Sequence, residues 1–203
     1  NSDDTYFPWT LEVVQSVFED CPDVHWISSL FPVTQDEKGL PVHCRAVRGF
    51  SSAAFLRGEF IGGGAHYSVG FVQQESTFWR RSLWERAGSS LSRSYAVAGD
   101  FDLWARFVRL TPLVGVPVPL AAFRSHQGQK SSIQFDRYLA EAMDSLQKNG
   151  GAPSPTWRSF LRRASAQVPN KVRRALSPTG LVERAVVCGH DLSGRWCKQE
   201  ILV

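Results

Sequence analysis

The sequence predicts an α/β fold: a mixed sheet with flanking helices, followed by a basic helical tail and a β-hairpin. Three observations carry this. Short apolar runs bounded by turn residues, such as Val24 to Ile27 and Leu113 to Val118, have the length of buried strands. They alternate with longer segments whose apolar residues recur at helical spacing. The stretch from Asn149 to Pro155, rich in Gly and Pro, then divides residues 1–149 from a linker and tail at 150–203.

The polar opening Asn1-Ser2-Asp3-Asp4 leads to Pro8, which suits a helix start. That helix would turn Trp9, Leu11, Val13, Val14, Val17 and Phe18 inward and end at Asp20-Cys21-Pro22. A buried strand follows at Val24 to Ile27, a polar turn at Thr34 to Leu40 and a second strand at Val42 to Val47. Residues 49–70 read as a mobile surface loop around Gly62-Gly63-Gly64, with Phe55, Phe60, His66 and Tyr67 about it. No Gly-Lys-Ser/Thr follows, which excludes a phosphate loop of that type. Phe71 to Trp79 reads as a buried strand, Arg80 to Ala87 as a short helix closed by Gly88.

Ala98-Gly99-Asp100-Phe101-Asp102-Leu103-Trp104 sets two acids at the mouth of an apolar helix continuing through Phe107, Val108 and Leu110. Asp100 there is either a plain helix cap, kept ionised by the helix dipole, or a general base. After the strand near Leu113, a polar loop runs from Phe123 to Ser131. Ser131 to Gln134 forms a capping box for a helix with Tyr138, Leu139, Ala142, Met143 and Leu146 on one face. The tail alternates Trp157, Phe160, Leu161, Val168, Val172 and Leu176 with arginines and lysines. Val186-Val187-Cys188 and Trp196 to Val203 form a hairpin about Asp191 to Gly194.

A hydrophobic content of 43% in 203 residues is enough for one domain with its own core. The net charge of +4 is local to the tail: residues 1–149 hold 14 Lys/Arg against 16 Asp/Glu, and 150–203 hold 9 against 3. This argues against a nucleic-acid-binding core and for an anionic surface near the tail. Cys21, Cys44, Cys188 and Cys197 include no paired spacing for zinc and are expected to be reduced thiols. No run is long and apolar enough to span a membrane. The opening at Asn1 without a Met is expected to mark the downstream part of a longer protein.

Three stretches in order resemble the second half of a family 2 glycosyltransferase with the GT-A, Rossmann-like fold. They are Gln73-Gln74-Glu75-Ser76-Thr77-Phe78-Trp79-Arg80-Arg81-Ser82-Leu83-Trp84-Glu85, Gly99 to Trp104, and Phe123-Arg124 through Ser131. The resemblance covers roughly residues 1–145. It implies transfer of a sugar from a nucleotide-diphosphate donor to a hydroxyl of a glycan or lipid-linked acceptor, with inversion, in bacterial surface-polysaccharide biosynthesis. The implied location is cytoplasmic, peripheral to the inner face of the membrane.

On this resemblance Asn1-Ser2-Asp3-Asp4 matches the end of the Asp-x-Asp signature, where Mn²⁺ or Mg²⁺ bridges carboxylate and diphosphate. Asp3, Asp4 and His126 are then the metal candidates, and Arg124 and Lys130 the diphosphate candidates. Asp100 matches the catalytic base, although Gly99 replaces the acid many relatives place before it. Gln73, Gln74 and Asp102 are the acceptor-side candidates. A buried amide network is the alternative for the glutamines, and a structural cap for Asp102. Trp79, Trp84 and Trp104 are expected in the core. The basic tail either lies on an anionic membrane or covers the domain with its basic face in water. The rival reading of the whole is a non-catalytic carbohydrate-binding or scaffolding module. An enzyme requires Asp3, Asp100 and His126 to share one cleft.

Overall fold

The computed structural model describes residues 3–62, 70–126, 133–153, 155–165 and 168–203. Among the described residues nine strands form two mixed sheets. The smaller has the order β1-β7-β3-β4, from Thr5–Tyr6 (β1), Val33–Gln35 (β3), Pro41–Cys44 (β4) and Ala121–Arg124 (β7). The larger has the order β5-β2-β6-β8-β9, from Trp26–Ser29 (β2), Thr77–Trp79 (β5), Val114–Val116 (β6), Arg184–His190 (β8) and Trp196–Leu202 (β9). Within it β2, β6 and β8 run parallel, and β5 and β9 close the edges antiparallel. The mixed α/β expectation is met. The terminal hairpin is no appendage, because β8 pairs with β6 and extends the central sheet.

The seven described helices are α1 (Thr10–Asp20), α2 (Ser52–Leu56), α3 (Arg81–Arg86), α4 (Gly99–Leu110), α5 (Phe135–Lys148), α6 (Thr156–Ser165) and α7 (Asn170–Leu176). Alternate side chains of a strand face opposite sides of a sheet. Accordingly Ile27, Val114, Val116 and Cys188 pack with Val17 of α1 and with Cys21, which caps that helix, while Trp26 and Val187 pack on the other face with α2, α4 and α5. Trp26 and Trp104 stack at 5.7 Å, and Phe107 meets Trp26 edge-on at 5.3 Å. Trp79 adds edge contacts to Trp104 at 5.4 Å and Phe107 at 5.8 Å. The expectation of core tryptophans holds for Trp104, which is buried, and for Trp79 and Trp84, which are part-buried against that core. Gly115 is fixed by packing: a Cβ there would collide with Leu30.

Several local expectations change. The first helix begins at Thr10, whose buried hydroxyl donates to the Leu120 carbonyl. Leu11 and Trp9 point to solvent rather than inward. The supposed surface loop at 49–70 contains α2, N-capped by the Ser51 hydroxyl at 3.2 Å from Ala54 N, and Phe55, Phe60 and Ile61 are core residues. His66, Tyr67 and the center of that Gly-rich stretch lie outside the described residues. The second strand spans only Pro41–Cys44 and is exposed throughout. The capping box falls largely outside the described residues. Among the described residues, no helix is long and apolar enough to cross a membrane.

The tail departs furthest from a simple amphipathic reading. On α6 Trp157, Phe160 and Leu161 face outward, 62%, 70% and 40% exposed, while Arg162 is buried. The reason is electrostatic. Arg162 meets Glu183 at 2.9 Å and Glu59 at 3.4 Å, and Arg57 meets the same acids at 2.6 and 2.8 Å. Glu59 is wholly buried, so its charge demands these partners. Breaking one side of a buried ion network costs roughly 3–5 kcal/mol. Arg162→Ala should therefore lower the stability measured by urea unfolding by about that amount. A loss within experimental error would show that the network does not hold α6 in place.

Candidate functional site

The first site is built by a two-residue strand. β1 pairs antiparallel with β7, Thr5 opposite Ala122 and Tyr6 opposite Ala121. The ladder brings Asp3 and Asp4 alongside the end of β7. The Arg124 amide donates to Asp4 Oδ1 at 3.0 Å, and His126 Nε2 lies 3.2 Å from Asp3 Oδ2. These last two side chains are 37% and 39% exposed, so they form a pair open to solvent. Gln35 steadies the arrangement: its side chain donates to the Thr5 hydroxyl, and its carbonyl accepts from Ser125 N at 2.8 Å. The Arg124 guanidinium lies beside Gly39 of the β3–β4 turn. Lys130 lies outside the described residues.

Asp3 and His126 offer one oxygen and one nitrogen ligand. Among the described residues no group of three His, Cys, Asp or Glu side chains gathers for a metal. The carboxylate suits Mg²⁺ or Mn²⁺, and the imidazole suits Mn²⁺ rather than Mg²⁺. Because the two side chains meet each other at 3.2 Å, a cation would have to displace that contact and complete its shell with water and phosphate oxygens. Asp4 is placed differently, with Oδ1 on the Arg124 amide and Oδ2 sealed from solvent without a hydrogen-bond partner among the described residues.

Beside Asp4 opens a cavity of about 240 Å³ lined by Asp4, Tyr6, Gln74, Glu75, Thr77 and Trp79. Glu75, which the sequence reading gave no role, has Oε1 sealed and unpartnered. Burial pushes its carboxyl up to about 7, its own backbone amide offsetting part of this and the Asp4 charge adding to it. Its signal in the sequence is slight, one acid among residues of a buried turn. Gln74 is exposed and lines the cavity. Gln73 is the buried amide of the alternative reading: 2% exposed, it donates to Val33 O and accepts from the Ser76 hydroxyl, both at 2.8 Å. A larger cavity, about 300 Å³, lies away from these acids between α2 and β8.

Asp100 has separate surroundings. It is the second residue of α4 and not the cap; Ala98 holds that position with no side-chain bond. Asp100 Oδ1 accepts from Phe101 N at 2.8 Å. Burial pushes its carboxyl upward, against the pull of the Phe101 amide, so dipole stabilisation is not the dominant effect expected from the sequence. Tyr138 of α5 faces it, its phenol pushed up by burial and by the Asp100 charge, and donates to Ile61 O at 3.0 Å. The amides before α4 are served by Glu141 of α5, which accepts from Val97 N at 2.9 Å and Ala98 N at 3.1 Å. Asp102 is 7% exposed and has the structural role: it accepts from Ser145 Oγ at 2.8 Å and Arg106 Nε at 3.1 Å, joining α4 to α5.

The structure thus brings Asp3 to His126 and Asp4 to Arg124. Asp100 makes no hydrogen bond or ion pair with them among the described residues; its surroundings are Phe101 and Tyr138, and the cavity beside Asp4 is lined without it, so the structure brings Asp3 and His126 together but not Asp100 with them. No protein-family model matches the chain, and no curated protein matches it significantly.

Glu141 gives a pH prediction. Burial works against its charge, but the amides of Val97, Ala96 and Ala98 and the Arg137 side chain bring it from 4.5 to about 2. A depressed carboxylate stabilises the fold above its unfolded value and loses that contribution as pH falls toward the folded one. Glu141→Gln should cost about 1–2 kcal/mol at neutral pH. The gap from wild type should close as pH falls from 4.5 to about 2. Thermal unfolding across that range checks it; a gap independent of pH would remove the charge from the explanation.

Proposed function

We propose that this chain belongs to a GT-A glycosyltransferase resembling family 2. It transfers a sugar from a nucleotide-diphosphate donor to an acceptor hydroxyl, with inversion, in bacterial surface-glycan assembly. One observation carries the reading. Asp3 and His126, matched separately to the same metal site by resemblance, come from distant parts of the chain and lie 3.2 Å apart. Asp3 and His126 would hold a divalent cation, which when bound neutralises charge on the leaving diphosphate. Arg124 and Lys130 are assigned to the diphosphate as cationic hydrogen-bond donors.

Asp100 is assigned the base. The acceptor oxygen bonds to the anomeric carbon as the bond from that carbon to the donor phosphate oxygen breaks, and the acceptor proton passes to Asp100. A carboxylate whose burial raises its proton affinity is a stronger base than an ordinary aspartate. Gln74 is assigned to the acceptor by the same resemblance; the cavity it lines beside Asp4 does not include Asp100, so the base assignment rests on the resemblance and on the raised proton affinity of that carboxyl.

The test is transfer from a panel of nucleotide sugars with and without Mn²⁺. Asp100→Asn should lower kcat by roughly 10²–10⁴-fold with the fold intact, as expected for loss of a general base. Because the group must be ionised, and burial raises its pKa, kcat/KM should rise with pH along an acid limb above that of an ordinary carboxylate. Unchanged turnover in Asp100→Asn removes it as base. Separately, Asp3→Ala and His126→Ala should each weaken Mn²⁺ dependence of turnover by about 10-fold or more, as for loss of metal-site groups. Wild-type Mn²⁺ dependence in both variants removes the cation site.

A further inference from the structure

We infer that the outward face of α6 and α7 docks on an anionic membrane surface. Both helices are turned the unexpected way round. On α6 Arg162 points inward to Glu59 and Glu183, and Trp157, Phe160 and Leu161 point out. On α7 Arg173 points inward and donates to Leu202 O at 2.6 Å, and Val172 points out with 45% exposure. Each helix is thus anchored by a buried arginine that fixes its apolar side toward solvent. An exposed Trp and Phe on a short helix is the composition of an interfacial helix, whose rings settle at the headgroup boundary.

Charge selects the occupant. Residues 156–176 carry six Lys/Arg and no Asp/Glu; Arg162 and Arg173 are engaged inside, and Lys171 and Arg174 flank Val172 in exposed positions. Anionic headgroups complement this excess, whereas a second copy of the same surface would be repelled by it. The arginines that orient the helices are engaged inside the protein, so the apolar face is presented before any lipid is met. The inference is independent of the transferase reading.

The test is sedimentation of the chain with phosphatidylcholine vesicles, with and without phosphatidylglycerol. Binding is expected only to the vesicles with phosphatidylglycerol, and to weaken as salt rises. Trp157→Ser with Phe160→Ser should weaken it at least tenfold, while circular dichroism and urea unfolding stay as in wild type. Lys171→Ala and Arg174→Ala should each weaken it about fivefold, the value of one cation near such a surface. No sedimentation with anionic vesicles, or equal sedimentation by the Trp157→Ser, Phe160→Ser variant, overturns the inference. So does a concentration-dependent dimer in analytical ultracentrifugation that this variant abolishes, since the face would then meet another copy.

Discussion

Four rings hold the domain's central helix against its central sheet. Trp26 comes from β2, Trp79 from β5, and Trp104 and Phe107 from α4, all within 5.3–5.8 Å of one another where they touch. Aromatic pairs of this kind add roughly 0.5–1.5 kcal/mol each beyond the area they bury. Their geometry also leaves α4 little freedom to rotate or slide. Since Asp100 is in the first turn of α4, the place of the proposed base is decided by rings about one and two turns away. Asp102 and Arg106 extend the same control sideways, to Ser145 and to the carbonyls of Ala87 and Ser90.

The two carboxylates nearest the mouth of α4 divide the work of that terminus. Glu141, reaching over from α5, meets the backbone amides and is held strongly ionised. Asp100 has the Phe101 amide and its own in a half-buried setting, and its proton affinity rises because burial outweighs them. A single acid could not both stabilise the turn and keep a basic carboxylate, because hydrogen bonds to the charged form lower its pKa. Supplying the stabilising carboxylate from another helix resolves this.

Elements with local signals were legible in the sequence. The apolar period of α4, the Asp191 to Gly194 turn and the hydrophobic face of α5 depend on neighbours a few residues away, and the structure has them. What was not legible depends on distant partners. Glu141 meets Val97 and Ala98 only because α5 packs on α4. The helical α2 was hidden by the glycines that follow it. The tail's apolar residues implied an inward face until the buried Glu59 and Glu183, far away in sequence, took Arg162 instead. At the candidate site, the resemblance placed Asp3 with His126, but nothing local announced Glu75 or separated the roles of Gln73 and Gln74.

The two-residue β1 has a consequence for the order in which the molecule matures. Its partner is β7, and closing so long a loop carries an entropic cost that only a largely assembled chain can offset. During synthesis α1, β2 and β5 are available to each other long before Arg124 and His126 leave the ribosome. A shortened nascent chain can therefore collapse around its aromatic core while Asp3 and Asp4 still lack their partners at the end of β7. The pair at Asp3 and His126 comes into being late, so the chemistry proposed for it is withheld until β7 is in place.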